Sequence, residues 1–284
     1  MIIKRTLKST VSIIAALLIF MLSITFYADR TNASNTSRRY YVFNPSNSNY
    51  IRDYDIEPLP EKINTRGVIG EDTREVDWSK SGVVKIMKKN HYLGTGFVVS
   101  DHVIATAAHV VMNQSLTEIL LFDNEGNVTM HATPVEVHVP LNHFLLTRPE
   151  SDDYDYALVT VKEDLSSYAN FNIGVAMDSL ENSDLPIKVT GFPDDKNNFT
   201  NHIMASSIGN VGKVLDCHII HNVDTSGGNS GSPVYIEESR CNKTYNTVFA
   251  IHVGGSISYP GWNTAIKITT DIMQFYVNNG NLKY

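Results

Sequence analysis

From Val83 onward the apolar residues fall into a dozen or so short runs, and no run extends far enough for a helix of ordinary length. Val83–Met87, Gly96–Val99, Val103–Ala107, Ile119–Phe122, Val128–Ala132 and Val135–Val139 come first. Ala157–Val161, Ile187–Thr190, Val211–Val214, Ile219–Val223, Val234–Ile236, Val248–Val253 and Ala265–Ile268 follow. Runs of this length, bounded by turn signals such as Asp123-Asn124-Glu125-Gly126-Asn127, predict antiparallel strands. Their number suits two small six-stranded antiparallel barrels. With only 19% charged residues but 14 Tyr and 17 Gly, the composition leans the same way. Two helices are expected. A short one follows His109 through Val110 to Met112. A clearer one starts near Asp271, which can cap it, turns Ile272, Phe275 and Tyr276 to the core, and stops before Gly280. The expected class is all-β with a C-terminal helix.

The net charge of -7 is unevenly spread. Residues 1–67 carry nine Lys/Arg against five Asp/Glu, a balance of +4, which leaves fourteen against twenty-five, or -11, for the remainder. A body of that sign repels phosphate backbones and anionic lipid, and no basic stripe offsets it, so nucleic acid is excluded as a partner. Lys4, Arg5 and Lys8 precede an apolar run from Val11 to Phe26, and Thr31-Asn32-Ala33 supplies small residues for cleavage. Residues 1–33 therefore read as a secretory signal, with a retained membrane anchor as the alternative. Residues 34–67, with Pro45, Pro58, Pro60 and no sustained period, read as a pro-segment, leaving 68–284 as the mature domain. In an oxidising compartment the only two cysteines, Cys217 and Cys241, are expected to pair, a cross-link worth about 3 kcal/mol in the chain-entropy model. The Asn-x-Ser/Thr sequons at Asn113, Asn127, Asn198 and Asn242 matter only in a glycosylating host.

Three segments carry chemistry. Asp224-Thr225-Ser226-Gly227-Gly228-Asn229-Ser230-Gly231-Ser232-Pro233 crowds one serine with glycines between two apolar runs. Such a loop can turn several N–H groups toward one point beside a hydroxyl, as a nucleophile with an oxyanion hole requires. A Gly/Ser-rich turn looks the same in isolation. Serine also needs a base, and the base needs a third group to fix its tautomer. Thr106-Ala107-Ala108-His109 ends a hairpin in small residues before an imidazole, and Asp153-Tyr154-Asp155-Tyr156-Ala157-Leu158 runs an acidic loop into an apolar strand.

The order His109, Asp155, Ser230, in the settings Thr-Ala-Ala-His, Asp-x-Ala-Leu and Gly-Asn-Ser-Gly-Ser-Pro, resembles the chymotrypsin-fold serine proteases. Within them it is most similar to the secreted V8-type glutamyl endopeptidases of bacteria, from about Val68 to Tyr284. The resemblance implies that Ser230 is the nucleophile, His109 the general base and acid, and Asp155 the orienting carboxylate. It implies an oxyanion hole from the N–H groups of Gly228 and Ser230. It also implies that Thr225, His252 of the Ile-His-Val-Gly-Gly strand and the amino group of a mature N-terminus at Val68 hold an acidic P1 side chain. That mature end follows from Thr65-Arg66-Gly67-Val68-Ile69-Gly70, with cleavage near Gly67–Val68 by an unidentified activating protease. A reading of Asp224 as the pocket floor points instead to Lys or Arg at P1. The implied substrates are proteins and peptides, no metal or cofactor is needed, and the enzyme is a secreted, extracellular monomer.

Other readings are weaker. A zinc hydrolase lacks a His-Glu-x-x-His, and His218-x-x-His221 in a strand points its rings to opposite faces. A non-catalytic binding protein on the same fold would be expected to lack a triad member. A protease of narrow target range, like the exfoliative toxins, keeps the triad and differs only in what it accepts.

Overall fold

Each of the apolar runs becomes a strand in the computed structural model, which describes residues 40–43 and 67–280 apart from 90, 113, 169, 170 and 199. The signal segment and most of the pro-segment lie outside the described residues. The first sheet comprises β1 (Tyr40–Phe43), β3 (Val83–Lys88), β4 (His91–Ser100), β5 (Val103–Thr106), β6 (Glu118–Phe122), β7 (Val128–Ala132), β8 (Pro134–Pro140) and β9 (Ala157–Val161), in the order β1-β8-β9-β5-β4-β3-β6-β7. The second comprises β2 (Glu75–Val76), β11 (Ile187–Gly191), β12 (Ala205–Gly209), β13 (Val211–Val214), β14 (His218–His221), β15 (Pro233–Arg240), β16 (Lys243–Gly255) and β17 (Asn263–Lys267), in the order β13-β14-β17-β16-β15-β11-β12-β2. All these pairings are antiparallel, and the two-residue β10 (Asn172–Ile173) adds a parallel bridge to β16.

The sheets carry more strands than six apiece. Tyr40–Phe43, in the stretch read as an irregular pro-segment, is four aromatic or β-branched residues in a row and pairs along the edge of β8. β2, β10 and β12 were also not expected. β12 mixes Ser207, Ile208 and Gly209 with no clear alternation, so its pairing is set by β11 rather than by its own pattern.

The larger core cluster lies under the first sheet, with Ile86, Phe97, Ile104, Leu158 and Val159 fully buried. α3 (Thr270–Gly280), named after the short α1 (Ala108–Val111) and α2 (Asn142–Leu145), follows the last strand of the second sheet and returns to close this core. It buries Phe275 and Tyr276 completely, and the Phe275 ring meets Tyr156 at 5.2 Å. Burying each such ring contributes about 2 kcal/mol. Thr269 caps α3, because its Oγ1 accepts the Ile272 N–H at 3.4 Å, so the cap lies ahead of the expected Asp271.

The expected cysteine pair does not form: Cys217 and Cys241 are both free thiols. His218, next to Cys217, stands level with Ile266, Ile251 and Pro233 across successive strands of the second sheet. Cys241 sits at the far tip of the β15–β16 hairpin, so it is displaced by about 25 Å along the strands. A disulfide tolerates a Cα separation of at most about 7 Å. Thiol titration of the folded protein is therefore expected to find both groups, Cys241 reacting first because it is exposed. A reductant should leave the thermal midpoint unchanged, whereas a drop matching about 3 kcal/mol would show that the cross-link exists.

Candidate active site

The antiparallel register of β5 and β9 sets Thr106 opposite Ala157. The chain leaving β5 and the chain entering β9 therefore emerge at the same end of the sheet, the first carrying His109 in α1 and the second Asp155. Asp155, 5% exposed, follows the 3-10 turn Glu150–Tyr154. Its Oδ1 accepts the His109 backbone N–H at 2.9 Å and its Oδ2 meets His109 Nδ1 at 2.6 Å. With a carboxylate on that side, Nδ1 is the protonated ring nitrogen, which makes Nε2 the basic one.

Ser230 lies on the loop between β14 and β15, and both sheets hold it. Its carbonyl accepts from Thr95 N–H of β4 at 2.9 Å, while Gly231 N–H donates to His252 O at 2.8 Å and His252 N–H to Ser232 O at 2.9 Å. The Gly228 carbonyl accepts from Thr95 Oγ1 at 2.9 Å and from the Tyr92 hydroxyl. Gly228 and Gly231 take φ of 82° and 89°. A Cβ on Gly231 would fall 2.0 Å from Thr95 O, so glycine is required there both by conformation and by space. Asn229 N–H, Gly231 N–H and Ser232 N–H are all bonded within the protein. Among the described residues neither Gly228 N–H nor Ser230 N–H meets an acceptor. The Ser230 hydroxyl contacts Val253 O at 3.4 Å.

Ser230 and Asp155 open onto one cleft of about 500 Å³, whose wall includes Thr225, Gly227, Val253, Gly254 and Gly255. The structure corrects the alternative reading of Asp224. Its buried carboxylate takes the Ile69 N–H at 2.7 Å and both the N–H and the hydroxyl of Thr73, at 2.9 and 2.7 Å. Those donors occupy both oxygens and tie down residues 69–73, so Asp224 is an anchor outside the cleft. His252 is also set back from the cleft lining at 1% exposure, with Nδ1 3.3 Å from His221 Nε2. Burial pushes His221 down to about 3, so it is neutral in the folded protein. Gly67 rather than half-buried Val68 lines the cleft, its carbonyl held by Thr225 N–H at 3.1 Å and Asn263 Nδ2 at 2.7 Å. Sequence reasoning missed Asn263, His221, Tyr92 and Thr95. Only Thr95, a hydroxyl between two glycines in a hairpin, leaves a trace in the sequence.

The trypsin-like peptidase domain model matches residues 94–241. A glutamyl endopeptidase of Staphylococcus epidermidis is 29% identical over 196 residues, covering 66% of this chain and 62% of that protein. An extracellular metalloprotease of Bacillus subtilis (strain 168) is 27% identical over 194 residues, covering 65% and 58%. The matches thus span about three fifths of those relatives' length. A solved Glu endopeptidase, in complex with MPD, has a TM-score of 0.62 at 19% identity and covers 76% of this chain and all of its own. A scabies mite inactivated protease paralogue gives 0.54 at 13% identity, with 73% and 100% covered. The solved structures share the fold.

Two expectations follow. Because His221 is neutral when folded and protonates near pH 6.5 when unfolded, the unfolded state binds the extra proton between about pH 6.5 and 3. Its contribution is present above that window and lost as pH falls through it. The thermal midpoint should decline over that range, and His221→Gln should flatten the decline; an unchanged slope would refute the assignment. Gly231→Ala should reduce stability by more than about 3 kcal/mol in denaturant titration, since backbone atoms, which cannot rotate away, occupy the space.

Proposed function

Because the chain belongs to the trypsin-like peptidase domain family, we propose that it is a secreted serine endopeptidase that cleaves after glutamate through Ser230, His109 and Asp155. The observation that carries the reading is the double contact with His109, at 2.9 and 2.6 Å, of a carboxylate whose residue, Asp155, lines the same cleft as Ser230. Asp155 fixes ring and tautomer together, leaving Nε2 to take the Ser230 proton. In the structure the hydroxyl donates to Val253 O at 3.4 Å, a contact it gives up when it donates to Nε2. Attack on the scissile carbonyl develops negative charge on its oxygen, and the N–H groups of Gly228 and Ser230 are the donors to receive it. The acyl-enzyme then forms as His109 returns the proton to the leaving amine, and water reverses the sequence.

Glutamate at P1 is supported by the relatives named glutamyl endopeptidase and by Asp224, whose two oxygens are both engaged by Ile69 and Thr73 and which does not line the cleft where a Lys or Arg would enter. Thr225 in the cleft wall and a new amino group near Gly67–Val68 are the proposed donors to the acidic side chain, with His252, set behind that wall, as the third. The balance of -11 on the body disfavours acidic substrates at long range, so selectivity rests on these few donors at short range. Export precedes activation, which removes the pro-segment.

Hydrolysis of peptides varied only at P1 (Glu, Asp, Lys, Phe, Ala) tests the proposal. Glu is expected to be preferred, with Asp weaker and Ser230→Ala inactive. Thr225→Ala should lower kcat/KM for Glu roughly thirty-fold, about 2 kcal/mol for a hydrogen bond to a charged group, and leave Ala at P1 nearly unaffected. Cleavage after Lys instead would overturn the assigned pocket. Cleavage of none would remove the general protease reading. N-terminal sequencing of the secreted form locates the processing site.

A further inference from the structure

Lys85 is fully buried on β3, takes no part in the cleft lining, and its partners are all neutral. Its ammonium donates to Asn198 O at 2.9 Å, to Asn197 Oδ1 and Asn201 O at 3.1 Å each, and lies 3.1 Å from His202 Nδ1. Burial, and next the ammonium itself, hold His202 below the usual histidine range, so its ring is the acceptor in that contact. Three oxygens that would otherwise converge on one another thus face a single cation. The acceptors belong to the segment 192–203 that joins β11 to β12.

That segment is built around the same point. Asn197 Nδ2 donates to Pro193 O and to Ile203 O, both at 2.7 Å, and Asn197 Oδ1 also accepts the Ile203 N–H at 2.8 Å. The Asn197 side chain therefore staples the two ends of the loop together, with its oxygen seated on Lys85. One output of the loop is the Asp194 N–H, which donates to Gly227 O at 2.7 Å. In a trans peptide the carbonyl and the following N–H point in opposite directions. Holding Gly227 O on the loop side therefore turns the Gly228 N–H the other way, and that N–H meets no acceptor among the described residues. With φ of 82° at Gly228, nothing in the residue itself resists a flip of this peptide.

We propose that Lys85 is a positioning residue for the oxyanion-binding peptide: its ammonium gathers the 192–203 loop into the conformation whose Asp194 N–H fixes the Gly227–Gly228 peptide. The inference rests on the serine protease reading and adds a remote determinant to it. Lys85 touches neither substrate nor reacting atoms. It acts through Asn197, Asp194 and Gly227, in that order. The Lys85 ammonium also stands 4.7 Å from the Tyr92 ring centroid, and the single proton of the Tyr92 hydroxyl lies between Phe192 O, at the head of the loop, and Gly228 O, the next carbonyl of the turn.

The test compares processed wild type with Lys85→Met and Asp194→Pro. Asp194 is the second residue of a turn closed by Lys196 N–H to Pro193 O, a position whose φ accepts proline, so Asp194→Pro removes the N–H and sets a ring carbon against Gly227 O, which displaces the Gly227–Gly228 peptide. Asp194→Ala controls for its side chain. Lys80→Met controls for loss of a buried ammonium, since its partner Glu237 keeps Lys188. For each variant, kcat and KM on a Glu peptide are measured per folded molecule. Binding of a Glu peptide aldehyde, which needs the oxyanion hole, is compared with binding of the product acid, which does not.

The expected result is a roughly tenfold or greater loss of kcat in Lys85→Met and Asp194→Pro, with KM within about threefold. Aldehyde affinity should fall in parallel while product affinity is kept, and both controls should resemble wild type. Lys85→Met with wild-type kcat per folded molecule, or with aldehyde and product binding lost together, would overturn the role. Should Lys85→Met fail to fold, equal kcat in Asp194→Pro and Asp194→Ala overturns it. A wild type that neither cleaves nor binds the aldehyde overturns the protease reading and this inference with it, whereas an active wild type beside an unaffected Lys85→Met overturns the inference only.

Discussion

The loop that carries Ser230 is a short irregular segment pinned from both sheets. Thr95 N–H of the first sheet holds the Ser230 carbonyl, and the backbone of His252 in the second brackets Gly231 and Ser232 from the other side. An exposed glycine-rich loop would sample many conformations, because each glycine has more freedom to lose than any other residue. Here the two strands remove that freedom by main-chain hydrogen bonds, and the absence of side chains at Gly228 and Gly231 lets Tyr92 and Thr95 approach the backbone closely. Much of the rest of the fold serves to bring β4 and β16 to this loop. The first sheet in turn relies on α3, which supplies Phe275 and Tyr276 to the core beneath it.

A second constraint works on the other side of the cleft. The register of β5 against β9 delivers His109 and Asp155 to the same edge, and the carboxylate takes both a backbone and a ring donor from one residue. The backbone contact matters as much as the ring contact, because it fixes where α1 begins and hence where the imidazole stands. The proposed catalytic chemistry thus depends on two loops positioned by different strands. Neither is rigid by its own sequence.

Much of this was legible in the residues. The short apolar runs give the strands because the period-2 pattern and turn punctuation are local signals, and Thr-Ala-Ala-His, Asp-x-Ala-Leu and Gly-Asn-Ser-Gly-Ser-Pro point to a site by their order along the chain, although each alone reads as a turn or a strand end. What was not legible is non-local. Asp224 looked like a pocket floor because its spacing to Ser230 is all a sequence shows, whereas its role is set by Ile69 and Thr73, which lie some 150 positions earlier. Cys217 and Cys241 flank the serine loop in sequence yet occupy distant ends of one sheet, since a long hairpin separates neighbours in the chain. Lys85 is one charged residue inside the apolar run Val83–Met87, and only the fold supplies the carbonyls that make its burial tolerable.

Covalent labelling with a fluorophosphonate, followed by peptide mapping by mass spectrometry, tests the central claim most directly. The reagent reports an activated serine whether or not the preferred peptide is known. The account predicts a single adduct on Ser230 in the processed protein, abolished by His109→Ala and strongly slowed by Asp155→Asn. An adduct on another residue, or labelling of Ser230 that is indifferent to His109, would contradict it.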